Sequence, residues 1–300
     1  MRTAERWGDA CKHFQLARKD VMEKKSQSAK AEKFRELHRG SKLLVLANVW
    51  DVASARLVED AGFRAVATSS AAVANSWGFA DGQQISRAEM LTVVERIASH
   101  VQAPVSADLE AGYGDSDDDV GELARGLIAA GAVGLNFEDG TGESQNPLYP
   151  QERQVQRIKV LREVSESAGV PVVINARTDV YLREVGDPAS RFEHAVRRAN
   201  AYRKAGADCL FVPGVRDREA IRQLAKAVDG PLNILATPGT PPLGDLSRLG
   251  VARVSFGSWP FRAAMGLFRK FLREVSKRGT FAALEAEPIP YADLNKLMTD

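Results

Sequence analysis

The chain predicts a single (β/α)8 TIM barrel over residues 43–300, preceded by a helical arm at residues 1–42. Three observations carry this reading. Eight short apolar or β-branched runs recur from residue 43 onward, helix-period segments that often close on glycine fill the gaps, and no G-x-G-x-x-G follows the first run. Eight such units over about 250 residues match a closed barrel better than an open doubly wound sheet.

The arm comes first and interleaves both signs of charge at helical spacing ("ARKDVMEKKSQSAKAEKFRELHRG"). It predicts a solvated helix packed on its own or a neighbouring subunit rather than a nucleic-acid-binding tail. Strands follow at 43–49 (LLVLANV), 65–70 (AVATSS), 104–110 (PVSADLE) and 133–139 (VGLNFED), then at 171–177 (PVVINAR), 208–214 (DCLFVPG), 231–237 (PLNILAT) and 251–257 (VARVSFG). They read as continuous apolar runs, as a parallel sheet covered by helices requires. The helices between them include "DVASARLVEDAG", "RAEMLTVVERIASHV", "DVGELARGLIAAG" and "RFEHAVRRANAYRKAG".

Composition narrows the class further. Hydrophobic content of 44% and charged content of 27% are those of an ordinary globular protein. The arm holds 12 Lys/Arg against 6 Asp/Glu, and the rest of the chain 29 against 33, for a net charge of +2. No apolar run reaches the roughly 20 residues a membrane crossing needs, and the first residues lack an apolar core, so no secretory signal is expected. Cys11 and Cys209 are too few for a disulfide framework or a cysteine metal site. A cytoplasmic protein without nucleic-acid or membrane partners is the expectation.

In a barrel of this type the chemistry sits at the C-terminal mouth. There the strand ends carry Asn48, Asp51, Ser69 and Ser70, then Asp108, Glu110, Glu138 and Asp139, and finally Asn175, Arg177, Asp179 and Thr237. Asp81 lies in the long loop after the second strand. Converging carboxylates repel one another unless a cation neutralises them, and a hard divalent ion is the simplest remedy. His13, His38, His100 and His194 lie in the arm or in helices, which disfavours zinc. Asp115, Asp117, Asp118 and Asp119 read as the start of a helix, Cys209 as a small core residue and His194 as a surface residue.

The ordered pieces "NVWDVASARLVEDAGF", "TSSAA", "GFADGQ", "SADLEAGYG", "NFEDG", "NARTDVY" and "AYRKAGADCLFVPG" resemble the isocitrate lyase/phosphoenolpyruvate mutase superfamily over residues 43–275. "SADLEAGYG" stands where that family has D-x-D-x-G-Y-G. The resemblance implies Mg²⁺ as cofactor, with Mn²⁺ as its substitute, touched directly by Asp108 and held largely through water by Asp81, Glu110 and Glu138. It implies a cradle for the substrate's C1 carboxylate at Ser69 and the backbone N–H groups of Ser70 and Ala71. Arg177 corresponds to the arginine that contacts the substrate beside the reacting bond. The implied partners are a small carboxylic acid and further copies of the chain. Dimers or tetramers form in the family by exchange of the last barrel helix, here "SWPFRAAMGLFRKFLREV".

The chain departs from the family after the fourth strand. The lyases carry a K-[KR]-C-G-H motif there, whereas this chain reads "EDGTGESQNPLYPQERQVQRI", without cysteine or histidine. The K-T-N-S segment of the phosphonate enzymes is also missing, with Asn146 its rough positional echo, and Pro213 stands where the mutases place a histidine. Residues 140–150 are expected to form a lid, with Glu143, Gln145 and Asn146 candidates to meet the distal end of a substrate. The expected activity is a Mg²⁺-dependent carbon–carbon lyase on a 2-oxo or 2-hydroxy (di)carboxylic acid, passing through a pyruvate-like enolate. Decarboxylation of oxaloacetate is the first specific expectation and cleavage of a malate-like acid the second, with Tyr113 or water as proton relay and Arg177 and Glu138 at the reacting centre. Phosphoenolpyruvate mutase or phosphonopyruvate hydrolase chemistry, and a non-catalytic 2-oxo acid binding protein, are the alternatives.

Overall fold

In the computed structural model, residues 24–285 and 287–299 are described, and the first half of the arm lies outside them. Residues 24–39 form the first described helix, α1. The barrel strands are β1 (Leu44–Leu46), β2 (Asn48–Val49), β3 (Val66–Thr68), β4 (Val105–Asp108) and β5 (Gly134–Glu138), then β6 (Val173–Arg177), β7 (Cys209–Phe211), β8 (Leu232–Leu235) and β9 (Arg253–Ser255). All pair in parallel in the order β1-β9-β8-β7-β6-β5-β4-β3-β2. β1 and β2 are one predicted strand, interrupted at Ala47: its first half pairs with β9 and its second with β3, which closes the barrel.

The outer helices are α2 (Val52–Asp60), α3 (Ser70–Ser76), α4 (Arg87–His100), α5 (Asp117–Ala129), α6 (Gln151–Ser167), α7 (Arg191–Lys204), α8 (Arg218–Ala227) and α9 (Leu243–Arg248). Two more, α10 (Trp259–Arg278) and α11 (Tyr291–Thr299), follow the last strand. Local chemistry sets their starts: Asp51, Ser86 and Ser116 each cap a helix through a reciprocal capping box. Of the aspartates after Glu110, Asp115 accepts from the Tyr149 hydroxyl and the other three belong to the start of α5. Asp117, Asp118 and Asp119 fill the first turn of α5, where the helix dipole favours them.

α1 covers the N-terminal end of the barrel. Arg35 pairs with Asp208 at 2.9 Å, and Gln27 donates to the carbonyls of Ile128 and Ala132. The buried ring of Phe34 lies so close to Gly134 that a Cβ there would meet it at 2.5 Å, so β5 must open on glycine. His38 is also buried, its Nδ1 paired with the Phe34 carbonyl at 2.8 Å. Burial and the neighbouring Arg253 push its pKa down to about 3, so this plug is neutral. Cys209 is fully buried at the start of β7, as expected. His194 is half-buried rather than on the surface, because α7 turns that face towards the helix layer.

α10 differs from the other barrel helices. Only Phe261 of its 20 residues is buried, while Met265, Phe268, Leu272 and Val275 are all more than 40% exposed on one helical stripe.

Candidate active site

The strand ends enclose a cavity of about 170 Å³, with Asn48, Ser70, Asp81, Asp108, Arg177 and Ser258 in its wall. Asp108 ends β4 and is held from both sides. Its backbone N–H donates to Thr68 Oγ1 at 2.8 Å, and its Oδ2 accepts from Ser70 N at 3.0 Å and Ser70 Oγ at 2.8 Å. Oδ1 receives only a long contact from Asn136 Nδ2, at 3.4 Å. Ser69, Ser70 and Ala71 reach the cavity because α3 begins immediately after β3, with Ser69 as its N-cap. Asp108 occupies the Ser70 N–H, which is therefore not open for a substrate carboxylate in this arrangement.

Glu110 follows on a sharp turn with φ at +49°, a left-handed conformation rare for a side chain of this type. Its carboxylate accepts from Gln83 N at 2.8 Å and from the Tyr113 hydroxyl at 3.1 Å. Burial first, then the charges of Asp108 and Asp81, raise its pKa to about 7. Asp81, at the more exposed rim, is raised by partial desolvation and by Asp108. The Tyr113 phenol is raised by burial and by the Glu110 charge, so it remains protonated at neutral pH.

Parallel register places Glu138 of β5 beside Arg177 of β6. Arg177 Nη1 meets Glu138 Oε2 at 2.6 Å, while Nε and Nη2 grip Asp179 at 2.6 and 2.9 Å. Burial pushes the Glu138 pKa up strongly; Arg177 opposes this, and the nearby acids add to it. Arg177 is the one cation among the described residues walling the cavity, and two carboxylates already share it.

Other strand-end acids are structural. Asp139 is fully buried and accepts from Arg198 Nε at 2.8 Å and the Tyr202 hydroxyl at 2.6 Å. Within residues 140–150, the stretch expected to act as a lid, residues 140–148 make a small hairpin closed by a bridge between Gly140 and Leu148. Glu143, Gln145 and Asn146 are exposed on it. Asn146 is not in the wall of the Asp108 cavity; Glu143 instead lines an outer cleft of about 790 Å³, with Gln83, Gln84, Tyr113, Thr141 and Tyr149.

The donor set fits Mg²⁺. Asp81, Glu110 and Glu138 are all raised in part by the Asp108 charge, a repulsion that a cation would relieve. Among the described residues no three His, Cys, Asp or Glu side chains gather into a metal cage. Mg²⁺ does not require one, since it takes one or two carboxylates and keeps several waters.

Three residues of the site were not singled out from the sequence. Gln83 bridges Glu110 and Tyr113, Asn136 touches Asp108, and Arg253 is fully buried beneath them with Nη2 on Asn136 Oδ1 at 3.2 Å. The available signal was a polar residue inside an apolar run, in "VGLNFED" and "VARVSFG".

The phosphoenolpyruvate phosphomutase family model matches residues 34–276. A solved structure from Burkholderia cenocepacia J2315, provisionally named a lyase/mutase, superposes with a TM-score of 0.86 at 37% identity, covering 92% of this chain and 98% of that one. The oxaloacetate decarboxylase of Pseudomonas putida (strain GB-1) is 32% identical over 241 residues, 77% of this chain and 80% of its own. A phosphonopyruvate hydrolase solved with oxalate and Mg²⁺ is 25% identical, with a TM-score of 0.77 and coverage of 89% and 94%. With the barrel and its acidic mouth in place, these matches make the chain a member of the phosphoenolpyruvate phosphomutase family and an enzyme of the isocitrate lyase/phosphoenolpyruvate mutase superfamily.

Proposed function

We propose that the chain is a Mg²⁺-dependent lyase for a small 2-oxo or 2-hydroxy acid, with decarboxylation of oxaloacetate as its first specific reaction and cleavage of a malate-like acid as the second. The supporting observation is that Arg177, the one cation among the described residues walling the cavity, is already committed to Glu138 and Asp179. A phosphonate dianion would need a free cation to balance its charge. A carboxylate brings half that charge, and one that leaves as neutral CO₂ sheds it during the reaction. The lid argues the same way: residues 140–150 carry Glu143 and no Lys, Arg or His.

Asp108 would touch the ion, with Asp81, Glu110 and Glu138 holding its waters, in keeping with the Mg²⁺ and oxalate found in the phosphonopyruvate hydrolase. A bound Mg²⁺ supplies Lewis-acid stabilisation of negative charge on the substrate's oxygens. Ser69, Ser70 and Ala71 would receive the C1 carboxylate, which requires Asp108 to release the Ser70 N–H as substrate enters. Arg177 adds positive potential in a water-poor site. Tyr113 Oη, kept protonated at the wall of the outer cleft, or a water beside it would relay a solvent proton to the enolate carbon, and the hairpin over residues 140–148 would limit water access.

The test is a panel of oxaloacetate, malate-like acids and phosphonopyruvate incubated with enzyme and Mg²⁺, followed by pyruvate formation and phosphorus NMR. Pyruvate from oxaloacetate well above the rate with Mg²⁺ alone is the expected result. Phosphate release or a phosphonate product, with oxaloacetate left intact, would move the assignment to P–C chemistry. Oxalate binding without any turnover would make the chain a binding protein.

The apolar stripe of α10 supports a second proposal, that another copy of the chain covers it and the protein is a homodimer or homotetramer. Sedimentation equilibrium of the purified chain is expected to give a dimer or tetramer mass, and a monomer at micromolar concentration would refute it.

A further inference from the structure

Five residues other than glycine adopt a positive φ among those described, and three of them meet at the mouth: Gln83 at +60°, Glu110 at +49° and Tyr113 at +60°. They come from two different loops, yet close a ring of hydrogen bonds. Gln83 N donates to Glu110 Oε2 at 2.8 Å, Tyr113 N donates to Gln83 Oε1 at 2.6 Å, and the Tyr113 hydroxyl donates to Glu110 Oε1 at 3.1 Å. Each left-handed residue costs free energy that its own backbone does not return. Such conformations persist where surrounding contacts hold them, and they cluster at functional sites.

The ring stands at the boundary between the two cavities. Asp81, two residues before Gln83, lines the inner cavity, while Gln83 and Tyr113 line the outer cleft. Arg157 reinforces it from below: stacked over the Phe137 and Tyr149 rings, its guanidinium donates to the Ala111 and Gly114 carbonyls on either side of Tyr113. Among the described residues, Gln83 contributes the one side-chain acceptor for the Tyr113 backbone and the one backbone donor to the Glu110 carboxylate. Neither role involves direct contact with substrate.

We infer that Gln83 is a positioning residue, fixing the Tyr113 hydroxyl and the Glu110 carboxylate at the boundary of the inner cavity so that proton delivery from Tyr113 is aligned. This rests on the lyase reading above. It goes beyond that reading by assigning a role in the chemical step to a residue that carries no charge and transfers no proton.

The position permits a test that separates alignment from folding. Gln83→Gly removes the side-chain acceptor but also removes the cost of the positive φ, whereas Gln83→Ala removes the acceptor and keeps that cost. Both variants are expected to lose about tenfold to a hundredfold in kcat, the range seen when a reacting group is misplaced by about an ångström. KM should stay within about threefold, because the interaction matters in the transition state. The Tm of Gln83→Gly should equal or exceed that of the wild type, while that of Gln83→Ala should fall below it. Gln83→Glu, which keeps an acceptor for Tyr113 N, should recover part of the lost kcat.

An unchanged kcat in Gln83→Gly would overturn the inference and leave the lyase reading standing. So would a loss confined to Gln83→Ala, since activity would then follow stability. A wild-type chain inactive on every acid of the panel would remove the lyase reading, and the positioning role with it.

Discussion

Asp108→Asn is expected to lower kcat/KM for oxaloacetate by about 10³-fold while leaving the fold intact, with Asp108→Ala at least as severe. The two variants test different things. Asparagine keeps an oxygen for the Ser70 N–H and hydroxyl and keeps the size of the side chain, so the anchoring bonds to Oδ2 survive. What it removes is the charge. If Asp108 supplies the direct carboxylate for Mg²⁺, the lost charge removes several kcal/mol of transition-state stabilisation, and a factor of about 10³ corresponds to about 4 kcal/mol. The fold should tolerate the change, because Asp81, Glu110 and Glu138 are all destabilised as anions by Asp108. Steady-state kinetics, with Mn²⁺ titration of the same samples by electron paramagnetic resonance, gives the answer. Asp108→Asn retaining more than a tenth of the activity together with undiminished Mn²⁺ affinity would show that the metal is held elsewhere.

The barrel was legible because its determinants are local. Each strand is an apolar run of a few residues, and each helix start carries a cap such as Ser86 with Glu89 or Ser116 with Asp119. The break at Ala47 was not legible, since "LLVLANV" reads as one uninterrupted run and the interruption arises where the strand changes partner from β9 to β3. Acids at the mouth were legible for a related reason. Asp108 and Glu138 end apolar strands, where a solvated charge has no structural use.

Side-chain pairing across long separations was the illegible part. Asp139 lies beside Glu138 in sequence, but Arg198 and Tyr202, some sixty residues further on, make it a buried anchor. Arg177 was read as the cation that contacts substrate beside the reacting bond, and its bidentate grip on Asp179 shows that much of its charge is already balanced. The Glu110–Gln83–Tyr113 ring could not be read either. Glu110 in place of the family's aspartate was visible, but the left-handed turn that redirects its longer side chain towards Gln83 is set by backbone geometry.

That redirected carboxyl gives the metal-free protein a pH-dependent stability. Glu110 has a folded-state pKa of about 7 against an ordinary value of 4.5. Below about pH 4.5 it is protonated in both states and contributes nothing to the balance. Between the two values the unfolded chain loses the proton while the folded protein retains it, so unfolding gains and stability falls as pH rises. The full penalty is present above about pH 7 and amounts to about 3 kcal/mol, at roughly 1.4 kcal/mol per pKa unit. Glu110→Gln, which mimics the protonated form, is therefore expected to match the wild type at pH 4 and to exceed its unfolding free energy by about 3 kcal/mol at pH 8, both in the presence of a chelator. The raised carboxyls of Asp81 and Glu138 act in the same direction in both proteins, and Glu138, raised in part by the Glu110 charge, relaxes in the variant and adds to the difference. Adding Mg²⁺ at pH 8 should stabilise the wild type by mass action, since the ion binds the folded state with its carboxylates ionised. Urea denaturation at the two pH values measures all of these quantities. A Glu110→Gln curve parallel to the wild type across the range would mean that water reaches Glu110 freely, and that its bonds to Gln83 and Tyr113 hold an ordinary solvated carboxylate.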